Sequence, residues 1–211
     1  MRIGVIGSGR IGGTVARLLA GAGHEVLISY SRDPASLAAR VAEIGHGARA
    51  GTPAEAAAFG EVVVLSVPWR LVDEVLAEVG GLEGRIVVDT NNQYGAGGLE
   101  TVPDGLTAAQ LDQRRMPRAR VVKTFNTVTA GFLADSAGRT GPDRVVLFMS
   151  GDDAEAKAVV AGLIDGAGFT PVDMGALADA APMEPPRRPG AVYGEEYHEA
   201  EARAFVAALR P

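Results

Sequence analysis

The segment Gly7-Ser8-Gly9-Arg10-Ile11-Gly12 is a G-x-G-x-x-G turn, and the chain holds no second copy of it. It follows an apolar run that begins at Arg2 and opens a helical pattern, the context in which the three glycines have separate physical roles. Gly7 permits a tight turn. Gly9, without a Cβ, lets the backbone approach a pyrophosphate, and Gly12 lets the helix pack closely on the strand. The phosphates then meet free N–H groups and the positive end of the helix dipole. Ser8, Arg10 and Ile11 complete the expected dinucleotide-binding turn.

The end of the second strand decides which dinucleotide such a turn holds. A cofactor without a 2′-phosphate usually meets an Asp or Glu there. Here the chain reads Ser29-Tyr30-Ser31-Arg32, with no carboxylate. Ser31 offers a hydroxyl and Arg32 a cationic fork to a 2′-phosphate, and Tyr30 or Arg32 can cover the adenine face. Asp33 reads as the cap of a helix that starts at Pro34; the alternative places it on the ribose. NADP(H) is therefore expected over NAD(H).

Three further strand ends read Ser66-Val67-Pro68-Trp69, Asp89-Thr90-Asn91-Asn92 and Thr124-Phe125-Asn126-Thr127. In open α/β sheets ligands lie beyond the carboxyl ends of the strands. Val67, Pro68, Trp69, Asn91, Asn126 and Thr127 are thus candidates to bond a ribose or carboxamide and to pack a planar ring; the alternatives are core packing for Trp69 and turn capping for Asn91 and Asn126. Lys123 reads as a strand-end surface charge or as a catalytic group, and Asp89 as ordering its loop. No Ser/His/Asp set or carboxylate pair converges there, and no catalytic side chain is assigned. Oxidising an alcohol needs a proton acceptor beside the hydroxyl. Hydride exchange between two ring cofactors needs mainly stacking and alignment. The residues suit the second reaction.

The elements that must position these groups alternate along the chain. Strands are predicted over 2–6, 25–30, 48–52, 62–67, 85–89, 120–125, 144–150 and 170–173. Helices are predicted over 11–22, 34–44, 53–59, 71–79 and 153–167. The alternation implies an α/β, doubly wound, mainly parallel Rossmann sheet over residues 1–175. Residues 95–117 read as a loop with some helix, a candidate lid. Residues 176–211 read as a C-terminal extension: a loop over 181–194 with Pro182, Pro185, Pro186 and Pro189, then a charged helix over 195–209 expected to support subunit contacts.

Composition closes off other answers. With 211 residues, 47% hydrophobic and 22% charged, the chain can bury a sizeable core. The absence of cysteine removes disulfides, thiolate metal sites and a cysteine nucleophile, and three scattered histidines argue against a metal centre. A net charge of -6 argues against nucleic acid. No export signal or 18-residue apolar run is visible, so a cytoplasmic protein without a membrane span is expected.

The opening Met1 to Gly12, then Ala22-Gly23-His24-Glu25-Val26, Ser31-Arg32, Val67-Pro68-Trp69 and Lys123-Thr124-Phe125-Asn126-Thr127 together resemble the NADPH-dependent deazaflavin (coenzyme F420) reductase family. The resemblance covers about residues 1–175. Pro185-Pro186-Arg187 and Val192-Tyr193-Gly194 look like its bacterial branch of predicted dinucleotide-binding enzymes, while Tyr30 before Ser-Arg departs from the archaeal pattern. Cytosolic domains of six-transmembrane metalloreductases look similar too. The resemblance implies hydride exchange between NADP(H) and a deazaflavin co-substrate in a homodimer. By motif position, Ser31 and Arg32 hold the 2′-phosphate. Val67, Pro68, Trp69 and Asn91 lie along the ribose and nicotinamide, and Asn126 and Thr127 face the second ring. The alternatives are an NADPH-dependent reductase of a flavin, quinone, ferric chelate or small carbonyl, and a non-catalytic NADP-binding or sensing protein.

Overall fold

The computed structural model describes residues 1–29, 34–103 and 105–209. Its elements begin with β1 (Arg2–Ile6), α1 (Arg10–Gly21), β2 (Glu25–Ser29), α2 (Pro34–Ile44), β3 (Arg49–Ala50), α3 (Pro53–Phe59) and β4 (Val62–Leu65). There follow α4 (Val72–Val79), β5 (Ile86–Asp89), a small hairpin of β6 (Tyr94–Gly95) and β7 (Gly98–Leu99), and α5 (Ala108–Arg115). The chain continues through β8 (Arg120–Lys123), α6 (Ala130–Ser136), β9 (Val146–Gly151), α7 (Ala154–Gly166), β10 (Thr170–Gly175), a 3-10 helix over Leu177–Met183, and α8 (Glu199–Leu209).

Eight strands form one sheet in the order β10-β9-β8-β5-β4-β1-β2-β3. From β3 to β8 every neighbouring pair is parallel. The sheet therefore needs cover on both faces, which explains why Val62, Val63, Val64 and Leu65 are all buried. Side chains alternate between the two layers. Ile3, Val5, Val62, Val64, Ile86 and Val88 pack with α1 and α7. Ile6, Val63, Leu65, Val87 and Val121 pack with α3, α4 and α5. The parallel run ends at β8, because β9 lies antiparallel to it and β10 runs parallel to β9. The fold is the expected α/β, mainly parallel doubly wound sheet.

Several boundaries differ from the sequence reading. β4 stops at Leu65 and β8 at Lys123, where the chain turns off the sheet toward the strand-end motifs. Residues 95–117 are not simply loop: α5 lies inside them, held by a capping box in which Thr107 and Gln110 bond each other's backbone N–H. The last helix begins at Glu199 rather than Glu195, because residues just before it pair with the sheet, Tyr197 O accepting from Val146 N–H. Its buried residues Ala202 and Val206 pack with Phe148, Val172 and Met174 of the same chain. Among the described residues, no helix is long and apolar enough to cross a membrane.

Candidate functional site: a cleft at the carboxyl ends of the strands

The glycine turn connects β1 to α1. Gly7 has φ +121°, and a Cβ there would sit 2.0 Å from the Ser66 carbonyl oxygen. A Cβ on Gly12 would sit 2.0 Å from the Gly7 carbonyl oxygen. These two glycines are required by backbone packing alone. Gly9 is different: its φ is -66° and an added Cβ would meet nothing within 4 Å. The space above Gly9 is open, at the N-terminus of α1, where the first helical N–H groups have no intrahelical acceptor. Ser8 is half-buried, Arg10 is exposed as the first helical residue, and Ile11 turns into an adjoining cleft.

That cleft has a volume of about 570 Å³. Thr90, Asn92, Asn126 and Thr127 line it from the ends of β5 and β8, Phe132 from α6, and Tyr193 from the C-terminal segment. Two carboxamides tie its floor together. Asn92 Nδ2 donates to Asn126 O at 2.9 Å, and Asn126 Nδ2 donates to Asn92 Oδ1 at 3.0 Å. Phe125 precedes them with φ +59°, a left-handed conformation that is costly for an aromatic residue, about 1–3 kcal/mol. The turn at Phe125 buries its ring and presents Asn126 and Thr127 to the cleft.

The C-terminal segment is pinned across these strand ends. Met183 O accepts from Asn126 Nδ2 at 2.7 Å, and Gly194 N–H donates to Thr127 O at 2.8 Å. The buried Glu184 carboxylate accepts from the N–H groups of Ala108 and Ala109 at 2.9 Å each, at the positive end of α5. Sequence reasoning missed this wall. Its prolines signalled loop, but nothing local places a loop over residues sixty positions earlier.

Lys123 is neither a surface charge nor exposed to the cleft. Its side chain is fully buried and its Nζ donates to Asp89 Oδ2 at 2.9 Å and to Asn91 O at 2.7 Å. Burial alone lowers its pKa, but the carboxylates of Asp89, Glu184 and Asp112 outweigh that and leave it raised. Asp89 orders its loop, Oδ1 accepting the Asn91 N–H at 2.9 Å. Asn91 is 4% exposed and follows Asp89 at the end of β5, with its Oδ1 accepting the Val67 N–H at 3.1 Å.

Trp69 takes the packing alternative. Its ring is buried in the core on the α4 and α5 side and is not among the cleft-lining residues. The indole N–H donates to both carboxylate oxygens of Asp112 at 3.1 Å, and the Arg115 guanidinium lies 4.4 Å from the ring. A large ring with one donor buries readily where a carboxylate receives that donor. Pro68, just before it, is exposed, and Val67 is buried. Tyr30, Ser31 and Arg32 lie outside the described residues. Of the expected site residues, Ile11, Asn126 and Thr127 line the cleft.

Asp112 carries a titration consequence. Burial first, then the Asp89 charge, pushes its carboxyl up to about 7 from 3.8. The unfolded carboxyl ionises at lower pH than the folded one, so this group withdraws stability as pH rises from about 4 to 7, and no further above that. In denaturant titrations across this window, the stability of wild type relative to Asp112→Asn is expected to fall with pH. A difference that stays constant contradicts it.

Residues 2–93 match the family described as NADP oxidoreductase, coenzyme F420-dependent. A candidate F420-dependent NADP-reductase of Arthrobacter sp. FB24 is similar in structure, with a TM-score of 0.72 and 33% identity, over 85% of this chain and 87% of that one. A hypothetical protein of Sinorhizobium meliloti, SMa0349, superposes with a TM-score of 0.81 at 31% identity, over 94% and 96% of the two chains. The metalloreductase STEAP3 of Rattus norvegicus is 31% identical over 183 residues, which are 87% of this chain. The chain spans 36% of that curated relative's length. A reductive aminase of Aspergillus terreus, solved with NADPH, shares the fold at 20% identity and a TM-score of 0.63, over 85% of this chain and 57% of that one. With the family match over residues 2–93 and 33% identity across most of both chains to the Arthrobacter protein, the chain belongs to the coenzyme F420-dependent NADP oxidoreductase family.

Proposed function

We propose that the protein transfers a hydride between NADP(H) and the deazaflavin coenzyme F420, directly from ring to ring, in the cleft beyond β5 and β8. The observation that carries this reading is that, among the described residues, the titratable groups lining the cleft are already engaged. Arg187 and Glu195 form a two-point ion pair at 2.5 and 2.8 Å. Glu196 accepts from Arg139 at 2.8 Å. The Tyr193 hydroxyl lies 3.3 Å from that of Tyr94, and burial together with this contact raises its pKa, so it stays protonated. A carbonyl or alcohol reaction needs a group that exchanges a proton near neutrality; a transfer between two rings needs alignment.

The residues present fit a dinucleotide. The open space at Gly9 admits a pyrophosphate against the N-terminus of α1, where Gly7, Ser8, Gly9, Arg10, Ile11 and Gly12 form the turn. Tyr30, Ser31 and Arg32 serve the 2′-phosphate end. Asn91 Nδ2 and Asn126 Oδ1 are buried without a hydrogen-bond partner among the described residues. Leaving such an atom unpaired costs about 1–3 kcal/mol, and a bound polar ligand removes that cost. Val67 and Pro68 flank the ribose and nicotinamide with Asn91, and Trp69 supports them from the core. Asn126 and Thr127 face the second ring. When bound, NADP(H) supplies the hydride chemistry.

Mixing the protein with NADPH and oxidised F420 is expected to bleach the deazaflavin's long-wavelength absorbance band. Failure to bleach at any pH, with NADPH bound, overturns the acceptor assignment. The similarity to a metalloreductase favours a second reading, in which NADPH reduces a flavin or ferric chelate. Those acceptors in the same assay distinguish the two.

A further inference from the structure

The register of β5 and β8 sets Asp89 beside Lys123, and neither side chain has any exposure. A buried ion pair is not by itself a device for stability, since an apolar pair of similar volume is often as stable. What an apolar pair cannot do is bond a backbone. Here Lys123 Nζ holds the Asn91 carbonyl at 2.7 Å while Asp89 Oδ1 holds the Asn91 N–H at 2.9 Å. The Asn91 side-chain oxygen is fixed in turn by the Val67 N–H at 3.1 Å. Every polar group of Asn91 is thereby engaged except Nδ2, which is buried and unpartnered among the described residues.

We propose that Lys123 is a positioning residue for the dinucleotide: with Asp89 it clamps Asn91 from both sides, so that Nδ2 is held ready to donate to a ribose or carboxamide oxygen. The ammonium touches no ligand and acts through Asn91. Preorganised donors of this kind are effective because their orientation is fixed before binding. This inference rests on the reading of the strand ends as an NADP(H) site.

The test is a coupling experiment on NADPH affinity, read by direct titration, with melting temperature measured alongside. Asp89→Leu combined with Lys123→Met removes the clamp while keeping an apolar pair. That variant and Asn91→Ala are each expected to weaken NADPH by ~10-fold. The combination is expected to lose no more than ~10- to 30-fold, because the clamp acts through the removed side chain. A purely structural role predicts independent losses that multiply to ~100-fold. Should the paired variant not fold, Lys123→Arg in the wild-type and Asn91→Ala backgrounds takes its place, keeping the charge and changing the reach to Asn91. Multiplying losses, or unchanged affinity on removing the clamp, overturn the inference alone. Wild type without affinity for NADPH overturns the cofactor reading and the inference together.

Discussion

Replacing Gly9 by valine is expected to leave the protein folded and to weaken NADP(H) binding by about 5- to 150-fold, equivalent to about 1–3 kcal/mol of overpacking. Gly9 has φ -66°, which any residue adopts, and an added Cβ has no neighbour within 4 Å. Folding alone therefore gives no reason for glycine here. The substitution at a helix N-cap costs a few tenths to about 1 kcal/mol, or a melting shift of at most roughly 2–4 °C in a chain of this size. Gly12→Ala is the control with the opposite signature. Its Cβ would meet the Gly7 carbonyl oxygen at 2.0 Å, a backbone atom that cannot swing away, so the loss is expected in stability itself. Melting temperature and NADPH titration separate the two. Unchanged NADPH affinity in Gly9→Val contradicts the pyrophosphate role of the turn.

The second large effect is on cofactor choice. Arg32→Ala is expected to weaken NADP(H) by about 1.5–3 kcal/mol, the range for a hydrogen bond to a charged group, and to change NAD(H) little. After the second strand the sequence carries Ser31 and Arg32 where an NAD-specific turn carries a carboxylate. Titration of both cofactors against wild type and variant reads the difference directly. Equal losses for the two would remove the 2′-phosphate assignment.

Local signals made the strands and the glycine turn legible, because each is a short apolar run beside a turn of defined chemistry. α5 was not legible by periodicity. Its sequence Ala-Ala-Gln-Leu-Asp-Gln-Arg-Arg has no apolar stripe, and its usable signal was the Thr107–Gln110 capping box. The surroundings of Trp69 and Lys123 were not legible for a different reason. Their environments are set by partners far away in sequence: Asp112 is 43 positions from Trp69, and Asp89 is 34 from Lys123. Which strand lies beside β8 decides whether Lys123 meets water or a carboxylate, and strand order is not a local property. The same holds for the C-terminal segment, whose prolines and turns mark a loop while its destination depends on Asn126 and Thr127 across the sheet.

The central claim is direct transfer between two rings held in one cleft. It is tested most directly with NADPH carrying deuterium at the transferred position of the nicotinamide, and with oxidised F420 as acceptor in ordinary water. The reduced deazaflavin is predicted to carry the deuterium at its ring carbon, with no label appearing in solvent. Reduction that places a solvent proton there, or NADPH binding with no reduction of F420, would contradict the account.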